Sequence, residues 1–420
     1  MTTHFPLEIL SLIFSSVVHD LVNEDNVRGA YRLQLVSRAV RTVVEPLLYR
    51  TIEQPSDSRV RLLLRAVMSR PALAGWIREI SLEEGESIEG DIESEEDEVE
   101  EERDENEDAG SKPEPRPQSK PPGKNSKSET VDAAVEVLKS KFSAHGERIR
   151  SCENDWISQL TKPSIAAMKW AFLLQLSNLT SLTLSTRTGE FGQKATLLRL
   201  PRLEELSFTI EVGSEGLWRG DIEPEEVLES IISSTDRLKS LTFEAINGST
   251  YCPVIHDAPE LKRILDEHAA QTLEYLSIVL GMNDEKDWRM EQECTEIEGS
   301  FGSVKDFVKL KELSIQLEVL LGDPSDGLQL KDALPLQLRD FTGLALPDYH
   351  GEEDSDRIWE EGDYIPQFEE LARAAEDGRR FTSLQSVNMY LSRKDSFNSA
   401  RGGHYEGGIL GQSRINFGWF

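Results

Sequence analysis

The sequence has few cysteines and no long apolar run. Only three cysteines occur in 420 residues, at Cys152, Cys252 and Cys294. An odd number of widely spaced cysteines argues against a disulfide framework and favours a reducing compartment. No apolar run approaches the roughly 20 residues that a bilayer-spanning helix needs. We therefore expect a protein of the cytoplasm, the nucleus or both.

Basic residues are also scarce relative to acidic ones. The chain has 46 Lys and Arg against 77 Asp and Glu, which gives a net charge of −31. Nucleic acids and anionic membranes are polyanions and would repel such a chain. We expect neither as a partner, and basic proteins are the better electrostatic match.

Sequence motifs of catalytic and metal sites are absent. The chain contains no GxxxxGK[ST] phosphate loop, GxSxG elbow, HExxH helix or CxxC pair. Its seven histidines are scattered without metal-ligand spacing. We therefore expect a protein that is not an enzyme and needs no metal, cofactor or small-molecule substrate.

The N-terminus instead carries the apolar stretch FPLEILSLIF, residues 5–14. A signal peptide is not indicated, because no basic residue precedes the stretch and Pro6 and Glu8 interrupt it. Pro6 suits the first position of a helix, and Glu8 complements the positive helix end. The apolar residues recur at helical spacing: Leu7, Leu10, Phe14 and Val17, with Ile9 and Ile13 widening the stripe.

Two further helices are predicted before residue 52. One pattern runs from Val27 to Val36, and another begins near Ser37, a suitable N-cap. Pro46 is expected to end or kink this third helix. Three helices in about 50 residues lie near the lower size limit of an independent domain, so this module would gain stability from a partner.

An acidic segment comes next in the chain. Residues 83–108 hold 17 acidic residues and one base, and a Pro/Lys-rich stretch continues to about residue 129. Such composition cannot bury enough apolar surface to offset ordering, which predicts disorder over 83–129. Ser94 precedes acidic residues and is a candidate phosphorylation site, although an unmodified serine is the alternative.

Beyond the insert the chain repeats an LxxLxL pattern. It begins at Leu179, Leu203, Leu238, Leu273, Leu310, Leu338 and Leu384, with intervals of 24 to 46 residues, and once before the insert at Ile77. Helical segments are predicted between several anchors, beginning at Glu223, Ala258 and Pro366, and RINFGWF is predicted as a last strand. One strand and one helix per unit would stack into an irregular solenoid with a parallel sheet.

The residue between the last two apolar anchors of each repeat is almost always a small hydroxyl. Seven of eight are Ser or Thr: Ser81, Thr183, Ser207, Thr242, Ser277, Ser314, Thr342 and, as the exception, Asn388. Strand propensity and a crowded sheet face explain this pattern without a ligand. The functional alternative is a polar floor for a target protein, with Thr242 in it and an acidic and aromatic rim around it: Glu205, Glu244, Tyr275, Glu312, Asp340 and Tyr390.

FPLEILSLIF and RLQLVSRAVRTVVEPLLYRTI together resemble the F-box, the helical motif that docks substrate receptors onto the adaptor of SCF-type cullin ubiquitin ligases. RPALAGWIREISL, residues 70–82, resembles the junction that comes after the F-box in fungal F-box proteins with leucine-rich repeats. The resemblance implies that one set of residues faces the adaptor: Pro6, Leu7, Ile9, Leu10, Ile13, Phe14, Leu35, Val36 and Ser37. The alternative is that several of these pack internally or on the first repeat.

The expected architecture is therefore α/β. A three-helix F-box spans 1–52, a helix and a first strand span 53–82, a disordered insert spans 83–129, and irregular leucine-rich repeats with a curved parallel sheet span 130–420. The expected function is non-catalytic substrate recognition in an SCF-type ligase, with the adaptor, and through it cullin, and an unidentified target protein as partners. Two alternatives remain: an acidic leucine-rich nuclear factor that binds histones or other basic proteins, and a repeat scaffold whose F-box-like helices no longer bind the adaptor.

Overall fold

A computed structural model describes most of the repeat region and part of the N-terminus. The described residues are 7–23, 29, 32–82, 135, 165–187, 198–212, 224–247, 254–282, 295–323, 327–345, 361–377, 380–391 and 416–419. The chain divides into one unit of Met1–Glu83 with Ile165–Phe420, which contains the sheets and their helices, and a second unit of Glu84–Ser164. Pro6, Ser94 and the segment 83–129 predicted to be disordered lie outside the described residues.

The N-terminal helices form a small packed module. Helix α1 spans Leu7–Asn23 and α2 spans Arg38–Leu48. Ser37 caps α2, as predicted, because its Oγ accepts a hydrogen bond of 3.1 Å from the backbone N–H of Val40. Of the predicted helix at 27–36, Gly29, Arg32 and Leu33 are helical, and residues 34–36 form a turn.

Pro46 was predicted to end or kink α2, and the first of these two outcomes is wrong. The helix continues for two residues to Leu48, although proline has no N–H to donate to the preceding turn. Leu47 and Leu48 pack against a buried cluster of Val18, Val40 and Val44. The packing of these two leucines favours helical backbone beyond Pro46, although proline disfavours the interior of a helix.

The remaining helices within the described ranges lie between strands. They are α3 Asp57–Ser69, a 3₁₀ turn Pro71–Leu73, α4 Ile165–Leu173, α5 Pro224–Ile232, α6 Ala258–His268, α7 Leu317–Leu321, α8 Leu330–Ala333 and α9 Glu361–Glu376. None of these helices, nor α1 or α2, is long and apolar enough to cross a membrane.

Twelve strands are present in the described residues: β1 Thr51–Ile52, β2 Glu79–Leu82, β3 Ser181–Arg187, β4 Glu205–Val212, β5 Ser240–Asn247, β6 Val254–Asp257, β7 Tyr275–Met282, β8 Thr295–Glu298, β9 Glu312–Gln316, β10 Asp340–Ala345, β11 Ser386–Leu391 and β12 Asn416–Trp419. Ten of them form one sheet in the order β1-β2-β3-β4-β5-β7-β9-β10-β11-β12, and β6 pairs with β8 separately. Every pairing is parallel. The chain is thus a mixed α/β protein whose large sheet is arranged in chain order without reversal.

Alternation along the strands determines which residues enter the core. The last two apolar anchors of each repeat are buried, as in Leu206 and Phe208 on β4 and Leu241 and Phe243 on β5. The rings of Phe208 and Phe243 stack with their centroids 5.8 Å apart. Because side chains alternate between faces, the intervening residue lies on the opposite face of the sheet.

The predicted helices after Glu223 and Ala258 are confirmed as α5 and α6, and the last strand is confirmed as β12. Helix α9 begins five residues before the predicted Pro366. Its additional first turn is anchored by the buried Tyr364, whose hydroxyl donates to Glu318 over 2.8 Å. Residues around Pro366 carry no sign of this contact, because Glu318 lies 46 residues away from Tyr364.

Candidate protein-interaction surfaces

The outer side of α1 carries large apolar side chains that no described residue covers. Ile9, Leu12, Ile13 and Val17 are all exposed, Leu12 by 71 %. Their spacing places them on one side of the helix. The opposite side supplies Phe14 and Val18 to the module core.

The turn before α2 carries a second exposed apolar group. Leu35 and Val36 are exposed by 83 % and 69 %. The turn is held by two backbone hydrogen bonds, from the Leu35 N–H to the Arg32 carbonyl at 3.0 Å and from the Val36 N–H to the Leu33 carbonyl at 3.1 Å. We call the six exposed residues of this module the N-terminal apolar surface: Ile9, Leu12, Ile13, Val17, Leu35 and Val36.

This concentration of exposed apolar residues is unusual within the described chain. Ten large apolar residues are exposed across the described ranges, and six of them belong to the N-terminal apolar surface. The other four, Leu62, Ile255, Val308 and Leu336, lie in four separate parts of the sequence. Exposed apolar residues grouped on one element, such as the four on one side of α1, are typical of interaction sites, whereas scattered ones need no explanation.

The residues predicted to face the adaptor occupy different environments. Ile9, Ile13, Leu35 and Val36 are exposed, whereas Leu10 and Phe14 are half-buried and Phe14 packs on the core. Ser37 is exposed and caps α2. Leu7 begins α1, but its side chain and all of Pro6 lie outside the described residues. Sequence reasoning missed the exposure of Leu12, which shares the helical spacing of Ile9 and Ile13.

The second surface is the outer face of the ten-stranded sheet. All eight residues of the predicted hydroxyl pattern are in register with one another from strand to strand: Ser81, Thr183, Ser207, Thr242, Ser277, Ser314, Thr342 and Asn388. Neighbouring strands lie about 4.8 Å apart, so these residues form one continuous row. We call it the hydroxyl row.

The predicted rim residues divide into two rows that flank the hydroxyl row. Glu205, Tyr275, Glu312 and Asp340 lie two residues before it and are connected through the register of β4, β5, β7, β9 and β10. Glu244 and Tyr390 occupy positions two residues after it on β5 and β11. The side chain of Tyr390 lies outside the described residues.

Two of the rim carboxylates already share one arginine of the chain. Arg339 pairs with Glu312 and, through Nε, with the Asp340 carboxylate at 2.6 Å. The Ser386 hydroxyl also donates to Asp340 over 2.5 Å. Burial acts to raise the pKa of Asp340, but these hydrogen bonds outweigh it and hold the pKa below its usual value.

Ion pairs continue along the same end of the strands. Lys239 Nζ contacts the Glu204 carboxylate at 2.6 Å, and Lys311 contacts Glu274 in the same way. These four residues directly precede successive strands, so charges of opposite sign alternate from one strand to the next. Among the described residues, Glu205 makes no such pair, and Glu244 accepts a hydrogen bond from Thr209 Oγ1 over 3.3 Å. Fewer carboxylates of the rim are therefore available to a partner than the residue types alone indicate.

Two buried polar pairs had no signal in the sequence. His256 Nδ1 lies 3.1 Å from Glu225 Oε1, and both side chains are almost fully buried. Glu318 is held by Tyr364, and burial of its carboxyl group raises its pKa to about 7. Their partners lie 31 and 46 residues apart, so neither pair could be found from local patterns.

One group of side chains has the composition of a metal site. Glu229, Glu267 and His268 bring possible ligand atoms within 4.8 Å of one another. The guanidinium of Arg263 already contacts Glu229 at 2.8 Å and Glu267 at 3.0 Å. Arg263 is therefore already paired with both carboxylates of this group, and its contact with Glu229 joins α6 to α5.

Comparisons with known proteins identify no relative. No family model matches the chain, and neither curated proteins nor solved structures give a significant match.

Proposed function

We propose that the chain is the non-catalytic substrate-recognition subunit of an SCF-type cullin-RING ubiquitin ligase and acts in the cytoplasm, the nucleus or both. Its N-terminal helices would act as an F-box that binds the adaptor. The repeat region would form a leucine-rich-repeat solenoid that binds the target protein.

The observation that carries this proposal is the N-terminal apolar surface. The module buries three valines in its core and leaves six large apolar residues exposed. Each such side chain contributes roughly 1 kcal/mol or more when a partner removes it from water. A partner would thus stabilise a module that is near the lower size limit for folding alone.

The sheet supports the second half of the proposal. The hydroxyl row runs across eight strands, with Thr242 near its middle, and seven of its eight residues are half-buried, whereas Ser277 is buried. Small side chains let a target segment approach the sheet closely. Within the described residues, Glu205, Glu244 and Tyr275 are the rim positions at which no basic residue of the chain is paired, and they are the first candidates for target contacts.

In this function the chain performs no chemistry. Binding the adaptor and the target at once raises the effective concentration of target lysines near the ubiquitin-conjugating enzyme. The proposal therefore requires two separate surfaces and no active site.

The test is a pull-down of purified SCF adaptor protein by the full-length chain. Ile13→Asp places a charge in the part of the N-terminal apolar surface that lies on α1 and is expected to reduce adaptor recovery at least ~10-fold, because the charge would be buried in an apolar interface. Leu336→Asp is the matched control, since Leu336 is 53 % exposed on the turn before β10. Equal recovery with both variants, or no recovery with the wild type, would refute adaptor binding through this surface.

A further inference from the structure

We infer that the N-terminal apolar surface docks onto a partner groove with an acidic rim, and that Arg32, Arg38 and Arg41 contact this rim. The inference rests on the proposed function, because the partner it describes is the ligase adaptor. The inference specifies that the edge of the adaptor's groove is negatively charged, which the exposed apolar residues alone do not indicate.

Three exposed arginines flank Leu35 and Val36 in the sequence. Arg32 is helical and lies just before the turn, whereas Arg38 and Arg41 lie on the first turn of α2. Between residues 32 and 45 the sequence has one acidic residue, Glu45. Residues 32–44 therefore carry three positive charges and no negative one, in a chain whose net charge is −31.

Glu45 pairs with only one of the three arginines, Arg41. The side chain of Glu45 is buried and pairs with Arg70 at 2.7 Å, outside the turn. The hydrogen bond from Arg70 holds the pKa of Glu45 below its usual value, so Arg70 is the main partner of this carboxylate. Arg41 reaches the other carboxylate oxygen only at 3.6 Å, and Arg32 and Arg38 make no ion pair within the described residues.

The arginines at α2 oppose the local stability of the helix. The N-terminus of a helix carries a partial positive charge, so arginine is unfavourable there and acidic residues are favourable. The first turn of α2 has no acidic residue, whereas α3 has Asp57 and α6 has Glu260 at this place. Residues that weaken their own helix are expected where another requirement determines them.

The shape and charge of this surface select its occupant. Leu35 and Val36 require an apolar floor, and the surrounding guanidinium groups require carboxylates at its edge. A second copy of the chain fits poorly, since a two-fold interface through this surface would bring arginines opposite arginines. A partner protein with an acidic rim satisfies both requirements.

The experiment measures the affinity of the full-length chain for purified SCF adaptor by calorimetry at about 50 mM and about 500 mM salt. The double variant Arg32→Glu with Arg38→Glu is expected to bind about tenfold or more weakly at low salt. The wild type should weaken as salt rises, and the variant should lose most of this dependence. The matched control is Arg199→Glu with Arg202→Glu, which makes the same charge change at two exposed arginines before β4.

The outcomes separate this inference from the proposed function. If the wild type binds and both double variants bind equally well, with the same salt dependence, the acidic rim is refuted and adaptor binding stands. If the wild type fails to bind, the proposed function is refuted. The melting temperature of Arg38→Gln should stay unchanged or rise, because a positive charge is removed from the start of α2. A fall in this temperature that accounts for the lost binding would contradict a contact role.

Discussion

The N-terminal module and the ten-stranded sheet differ in how far their apolar side chains are buried and their charged side chains are paired. The module buries three valines and leaves six large apolar residues in solvent. The sheet buries its repeated apolar anchors, and acidic residues at the start of its strands form ion pairs with Arg339, Lys239 and Lys311. The module therefore exposes apolar side chains to solvent. The sheet instead presents small neutral hydroxyls, and many of the charged residues at the start of its strands are paired.

The largest expected effect tests whether the sheet is the stable half. Phe243→Ala removes a fully buried ring that stacks on Phe208, and we expect a loss of about 3 to 5 kcal/mol in the free energy of unfolding. Chemical denaturation monitored by circular dichroism measures it. Val308→Ala, at an exposed apolar position before β9, should change the same quantity by less than about 0.5 kcal/mol. Similar losses for both would mean that the anchors do not form the core.

The second prediction concerns the buried carboxyl group of Glu318. Its folded-state pKa of about 7 exceeds the usual value of 4.5, so between these values the folded state holds more protons than the unfolded state. Stability contributed by the neutral form is present below pH 4.5 and is lost as pH rises to about 7. The full change is of order 3 kcal/mol.

Glu318→Gln should remove this part of the pH dependence, because the amide keeps an acceptor for the Tyr364 hydroxyl without a charge. Melting temperatures of wild type and variant between about pH 5 and pH 8 measure it. We expect the two curves to converge at low pH and to separate near pH 8, with the variant more stable. A constant difference across the range would contradict a buried titrating group.

The smallest expected effect concerns the serines that precede helices α2 and α3. Ser37→Ala removes the hydrogen bond that caps α2 and should cost about 1 kcal/mol. The matched control is Ser56→Ala, since Ser56 holds the equivalent position before α3 and makes no capping hydrogen bond. Equal small effects on the melting temperature would show that the Ser37 cap contributes nothing measurable.

Local patterns predicted nine of the twelve strands in the described residues, because these nine have short-range sequence signals, whereas the short strands β1, β6 and β8 were not predicted. The LxxLxL pattern has the period of a strand, and a repeated motif forces neighbouring strands into one register, which is why all eight residues of the hydroxyl row align. The Ser37 cap is predictable from the same local chemistry.

The errors arise where distant residues decide the outcome. Pro46 does not end α2 because Leu47 and Leu48 have a core to pack against, and that core includes Val18 from another helix. The start of α9 depends on Glu318, which no window around Pro366 contains. Which apolar residues of α1 remain exposed depends on where α2 packs, so Leu12 could not be separated from Phe14 by spacing alone.

The pairing of β2 with β3 has a consequence for how the chain tolerates change. These strands are neighbours although residues 83–180 lie between them in the sequence. The entropy of closing a loop grows only with the logarithm of its length, by about 0.6 kcal/mol for each doubling. The number of residues between β2 and β3 can therefore change substantially with little expected effect on the pairing of these two strands.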